Sequence, residues 1–98
     1  MIDLQVRTES GEIVARGSVG LDWVSTLQYV NEDDFPLLGG LLPYGDTVFN
    51  SRQAGRLRRE LAGLSIQGLI DYETAAEIES LCRQVESGSH LYLWFLGD

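Results

Sequence analysis

The stretch His90-Leu-Tyr-Leu-Trp-Phe-Leu96 decides the fold of this chain. It contains no charged residue, and both of its alternating faces are apolar. One face carries Leu91, Leu93 and Phe95, and the other carries Tyr92, Trp94 and Leu96. A strand of this kind is typical of the interior of a sheet. Because Gly97-Asp98 ends the strand, we predict that it is inserted between strands formed earlier in the chain.

The N-terminal residues predict a β-hairpin. Apolar Ile2, Leu4 and Val6 alternate with polar residues, which is the period of a half-buried strand. Ser10-Gly11 then forms the tip of a turn. A second strand is expected over residues 12–18, with a bulge at its glycine, residue 17.

Two amphipathic helices are predicted in the second half of the chain. The first covers residues 51–64, with Asn50 or Ser51 as its N-cap and the turn Gly45-Asp46 leading into it. The second begins at residue 71 or 72 and ends at residue 86. The apolar face of the first helix is formed by Ala54, Leu57, Leu61 and Leu64.

The middle of the chain is less regular. A short helix is predicted from Asp22, because Trp23 and Leu27 fall on one helical face, although strand-forming residues leave an extended segment as the alternative. Residues 31–34 are expected to form an exposed acidic loop. The apolar segment Leu37–Leu42 predicts a buried turn or a short strand.

These elements predict a single α+β domain over residues 1–98. We expect a small antiparallel or mixed sheet, made of the N-terminal hairpin and the interior C-terminal strand, with two main helices on one face. A chain of 98 residues has room for one hydrophobic core.

The charge is strongly negative. Fifteen acidic residues stand against seven basic ones, a net charge of −8. Nucleic-acid binding is disfavoured, because neutralising phosphates needs a positive surface, and anionic membranes should repel the chain. A basic protein partner should be attracted to it, although solubility alone is the simpler explanation of the charge.

Cysteine usage and the N-terminus predict a cytoplasmic protein. The chain has one cysteine, Cys82, which rules out an internal disulfide and lies in a helical apolar pattern that predicts a buried thiol. The first residues follow a strand pattern rather than that of a secretion signal, and no apolar run approaches the length of a membrane span.

The sequence predicts no enzyme, cofactor or metal site. It has one histidine, His90, one cysteine, and no motif for nucleophilic, zinc or phosphate chemistry. The acidic residues lack the ordered spacing of a calcium loop. His90 is interpreted as a surface or capping residue.

Three arginines mark the first candidate partner-binding surface. Arg52, Arg56 and Arg59 recur on one side of the first helix, with Arg58 on its flank. A guanidinium group binds a carboxylate through two parallel hydrogen bonds, so these residues could hold acidic groups of a partner. The alternative is a solvated helix face stabilised by pairs such as Arg56 with Glu60.

Further candidate partner-binding residues lie in the loops. The acidic loop offers Glu32, Asp33 and Asp34, and the turn before the first helix offers Tyr44 and Asp46. Turn and cap chemistry alone also explains the residue types in that turn.

Two segments carry a resemblance to known proteins. Pro-Tyr-Gly-Asp-Thr-Val-Phe-Asn (43–50), followed by Gln53, and His-Leu-Tyr-Leu-Trp-Phe-Leu-Gly-Asp (90–98) resemble a group of small uncharacterised bacterial single-domain proteins. The group shares this turn-helix segment and the closing strand. The resemblance implies a compact common fold and transfers no catalytic residue.

Together these features favour a non-enzymatic protein-binding module, such as an immunity or accessory protein that binds a basic partner through acidic surface. The alternative is a subunit that forms homodimers or larger homo-oligomers, through a sheet edge or through Leu37–Leu42. An enzyme of unfamiliar type ranks third, and it would need a deep pocket lined by Tyr44, Asp46 and His90.

Overall fold

The computed structural model describes residues 1–18, 20–22 and 28–97. In this part of the chain, four strands form one antiparallel sheet, and two helices pack against one of its faces. The strands are β1 (Asp3–Thr8), β2 (Ile13–Arg16), β3 (Asp46–Phe49) and β4 (Leu91–Leu96), and the helices are α1 (Ser51–Ile66) and α2 (Tyr72–Ser87). The α+β class, the N-terminal hairpin and the two helices on one face are confirmed.

The C-terminal strand lies inside the sheet, as predicted. The strand order is β2-β1-β4-β3, so β4 is hydrogen-bonded on both edges. It pairs with all six residues of β1 and with all four of β3. Phe95 of β4 is buried and meets Phe49 of β3 edge to face, with ring centroids 5.5 Å apart. These two rings anchor the sheet in the core.

The prediction that Asp46 belongs to a turn was wrong, because Asp46–Phe49 is strand β3. Its β-branched and aromatic residues favour an extended backbone, and the free edge of β4 supplies the hydrogen-bonding partners. The turn before it is closed by Gly97, whose N–H donates to the Gly45 carbonyl at 2.9 Å. The two segments that carry the family resemblance are therefore adjacent in space.

The apolar residues on the two faces of β4 are not equally buried. Leu93 and Phe95 are buried beneath the helices, whereas Tyr92, Trp94 and Leu96 on the other face remain partly exposed. The two helices pack on the same side and cover only that face. The domain thus has two layers, and one face of its sheet is open.

The hairpin differs from the prediction in one detail. Its turn contains Gly11, which adopts φ +92°, a left-handed conformation that favours glycine. The irregularity in the ladder lies between Val6 and Arg7, where the register shifts, and not at Gly17. The N–H of Gly17 instead donates to the carbonyl of Leu4, which continues the pairing.

Both helices begin where the sequence predicted. Asn50 caps α1 through a reciprocal pair with Gln53, in which each side chain accepts from the other's backbone N–H at 2.9 Å. Asp71 caps α2 by accepting from the N–H of Thr74 at 3.2 Å. Helix α1 runs two residues beyond its predicted end, to the exposed Ile66.

The segment before β3 folds against α1. Within it Leu38–Gly40 forms a single 3-10 turn, where a simple turn or strand was expected, and Leu38 is buried. The carboxylate of Glu60 accepts from the N–H groups of Leu37 and Leu38 at 3.0–3.1 Å. This use of Glu60 replaces its predicted pairing with Arg56.

The short helix predicted from Asp22 rests on Trp23 and Leu27, which lie outside the described residues.

Candidate protein-binding face

The open face of the sheet is the first candidate site. Alternation places the side chains of Trp94, Val48 and Gln5 in one cross-strand row on this face. Trp94 is partly exposed, and Val48 is 40% exposed. Trp94 of β4 and Val48 of β3 therefore form an apolar centre on this face that is accessible to another molecule.

Arg7 holds the tryptophan in place. Its guanidinium carbon lies 4.3 Å from the centroid of the Trp94 ring, a cation–π contact, and its Nε donates to Oε1 of Gln5 at 2.9 Å. Side chains that are fixed before binding lose less conformational entropy when a partner docks. The Trp94 ring is thus in contact with a side chain that is itself hydrogen-bonded.

Two carboxylates flank the apolar centre at one end. In the ladder, Asp3 and Asp46 are both cross-strand partners of Leu96, on opposite sides of β4. Both aspartates are exposed. The predicted partner-binding residue Asp46 therefore lies on the open face, in a row of alternating acidic and apolar groups.

A cleft of about 270 Å³ lies at the other end of the face. Its walls are formed by Val48, Tyr92 and Trp94, and Glu9 of the hairpin contributes a carboxylate at its rim. The Glu9 carboxylate lies 3.7 Å from Nδ1 of His90. Aromatic faces next to a carboxylate suit the aliphatic stem and charged end of a lysine or arginine from a partner.

The arginines of α1 form a separate surface. Arg52, Arg56 and Arg59 are exposed, and none of them forms an ion pair with a described residue. Arg58 instead pairs with Glu86 of α2, through Nε at 2.5 Å and through its terminal nitrogen at 3.0 Å. This hydrogen-bonded pair raises the pKa of Arg58 and lowers the pKa of Glu86.

The Arg58–Glu86 pair gives a pH-dependent contribution to stability. Because the pKa of Glu86 is lower in the folded protein than its ordinary value of 4.5, the contribution is present above that value and is lost as pH falls through the folded pKa. Glu86→Gln should therefore lower the Tm at pH 7 and have a smaller effect at about pH 3. Thermal unfolding of both proteins measures this, with the exposed Glu12→Gln as control. An equal effect of Glu86→Gln at both pH values would contradict the interpretation.

The acidic loop precedes a segment that packs against the C-terminal half of α1. Glu32, Asp33 and Asp34 are exposed, and the segment that follows them is attached to α1, where the Phe35 ring packs against Gly63. Among the described residues, no carboxylate of this loop forms an ion pair with an arginine of α1. Tyr44 and Asp46 lie elsewhere, at the turn closed by Gly97.

The arrangement does not form the pocket that an enzyme hypothesis required. Asp46 pairs with Leu96 at one end of β4, whereas His90 precedes the other end, so the two side chains are separated by the length of the strand. Burial raises the pKa of the Cys82 thiol to about 12, which keeps it protonated and unreactive at neutral pH. Within the described ranges, no group of three potential metal ligands comes together.

Sequence reasoning missed Tyr92, Trp94 and Val48 as candidate binding residues. The apolar pattern of β4 was used only to place the strand inside the sheet, but two helices of 16 residues cover only one side of a four-stranded sheet. The number of predicted layers could have identified this face. When the predicted helices can cover only one side of a sheet, an apolar face on the other side is available to another molecule.

Comparisons with protein-family models, with curated proteins and with solved structures found no match to the chain. The resemblance to small bacterial proteins therefore stays a hypothesis.

In the described part of the chain, no helix has both the length and the apolar character needed to span a membrane.

Proposed function

We propose that this chain is a non-enzymatic, cytoplasmic protein-binding module that recognises a basic protein partner on the open face of its sheet. An immunity protein against a basic toxin, or an accessory subunit, would act in this way. The observation that carries the proposal is the partly exposed row of Gln5, Trp94 and Val48, with Trp94 held by Arg7 and carboxylates at both ends of the face.

The size of the open face favours a partner that adds electrostatic attraction. Four strands of four to six residues present roughly 20 Å by 20 Å, about 400 Å², which is below the ~800 Å² per partner of a typical stable interface. Apolar contact alone would bind weakly. Attraction between opposite charges raises the association rate and selects the partner.

The charge distribution favours a basic partner over a second copy. The whole chain carries −8, so two copies repel each other, whereas a basic protein is attracted. On the face itself, Asp3 and Asp46 lie at one end and Glu9 at the other, with the cation of Arg7 over Trp94 between them. Lysine or arginine side chains that surround an apolar residue of the partner would match this pattern.

Site-specific photo-crosslinking in cells tests the proposal. A benzophenone amino acid at Val48 lies on the open face, and the same residue at the exposed Ala76 of α2 is the matched control. We expect a discrete adduct from position 48 alone, with a protein of net positive charge. The adduct should be lost in Trp94→Ala and should decrease with added salt in a lysate.

Four outcomes would overturn the proposal. Equal adducts from positions 48 and 76, or no adduct from either, would show that the open face has no specific partner. An adduct between two copies of this chain would favour the homo-oligomer instead. An acidic partner would contradict the charge argument.

A further inference from the structure

A groove of about 570 Å³ runs between α1 and α2. Small residues form its floor, among them Gly55, Ala62 and Ala75. A side chain at residue 55 would meet the Glu86 carboxylate, since a Cβ placed there lies 3.1 Å from Oε1 of that residue. Small floor residues leave room for the backbone of another chain.

The charge of this groove is opposite to that of the whole protein. Both of its lining carboxylates are occupied, Glu86 by Arg58 and Glu79 by Arg83, whose guanidinium lies 2.8 Å away. Arg52 and Arg59 also line the groove and have no ion-pair partner among the described residues. The groove is lined by three guanidinium groups and two carboxylates, a local charge of +1 within a chain of −8.

The lack of partners for Arg52 and Arg59 is informative. The chain has 15 acidic residues, more than twice the number of its basic ones, and the acidic loop is attached to the same helix. Even so, no described carboxylate lies within ion-pair distance of either arginine. Since no described residue forms an ion pair with either guanidinium group, their hydrogen-bond donors can bind an external acceptor.

The spacing of the two arginines defines the ligand. They are seven residues apart on one helix, which places their Cα atoms about 10 Å from each other. An extended peptide repeats this distance every third residue. Each guanidinium can bind one carboxylate through two parallel hydrogen bonds, and the groove between them accommodates the intervening backbone.

We propose that the groove between α1 and α2 binds an extended acidic segment of a second protein, through carboxylates held by Arg52 and Arg59. This surface is independent of the open sheet face. The groove lies on the solvent side of the helical layer, and the open face lies on the other side of the sheet. The domain therefore presents two surfaces of different charge in opposite directions, and it can connect two partners.

A glutamate homopeptide of about nine residues tests this proposal, because it spans the two arginines in an extended form. Binding is measured by calorimetry at low salt and located by NMR chemical-shift changes. The net charge of −8 repels this peptide from the rest of the surface, so binding elsewhere is disfavoured. We expect a Kd that weakens with salt and shift changes along α1.

Matched variants locate the site. Arg59→Gln should weaken binding roughly tenfold or more, because each lost charged hydrogen-bond pair is worth that much. Arg16→Gln removes the same charge from the exposed edge strand β2 and should change the Kd by less than about twofold. Both side chains are exposed, so both variants should fold, which circular dichroism checks.

The proposal is overturned if the peptide does not bind, or if Arg16→Gln weakens binding as much as Arg59→Gln, since the effect would then be long-range charge alone. It is also overturned if inorganic phosphate binds as tightly and with the same dependence on Arg59, because the site would then take small anions. Trp94→Ala should leave peptide binding unchanged, which separates this test from that of the open face.

Discussion

Phe95→Ala is expected to lower the free energy of unfolding by about 3–5 kcal/mol, as measured by urea denaturation. The side chain is 1% exposed, on one of the two interior strands, and its ring packs edge to face against Phe49. Truncation leaves a cavity between the sheet and the helices that neighbouring residues fill only in part. Such a loss is a large share of the 5–15 kcal/mol that stabilise a typical domain.

The adjacent Trp94→Ala is the control for this prediction. Trp94 lies on the open face and is partly exposed, so its truncation should cost about 1 kcal/mol, mainly through lost contact with Arg7 and Val48. Similar losses for both variants would contradict the two-layer arrangement, because they would require β4 to be covered on both faces.

Local patterns explain how much of the fold could be predicted. The caps Asn50 and Asp71 act within three residues of their own positions, so sequence alone located both helix starts. The position of β4 inside the sheet followed from its continuous apolar character. For these elements, the residues that determine the structure lie close together in the sequence.

Non-local pairing explains what was missed. Strand β3 has only four residues between a turn and a helix cap, and it is extended because β4 offers a free edge more than 40 residues later. Helical spacing predicted that Glu60 pairs with Arg56. In the structure Glu60 instead accepts from the backbone N–H of Leu37, a group that needs a hydrogen-bond partner when it is buried. Neither partner is adjacent in sequence.

The same limit applies to the candidate sites. The arginines of α1 were identified from their spacing alone, and the structure leaves Arg52, Arg56 and Arg59 exposed. The open face could not be identified in this way, because Tyr92 and Trp94 have the same apolar character whether a third layer covers them or not. Only the placement of both helices on one side distinguishes the two cases.

Gly97→Ala is expected to cost about 3 kcal/mol of unfolding free energy, at the upper end for overpacking. A Cβ at this position would lie 2.6–2.7 Å from the carbonyl oxygens of Leu42, Pro43 and Gly45. Backbone oxygens cannot rotate away as a side chain can, so the turn must move. That movement breaks the hydrogen bond from Gly97 to Gly45 and weakens the end of β3 next to Asp46.

Gly40→Ala is the matched control, since nothing lies within 4 Å of a Cβ at that exposed position. It should change stability by less than about 0.5 kcal/mol. Urea denaturation gives both values, and amide exchange at Thr47 and Val48 reports whether β3 opens in Gly97→Ala. Equal stability of the two variants, with unchanged exchange in β3, would mean that the close approach of Gly97 to the turn does not hold this edge of the open face in place.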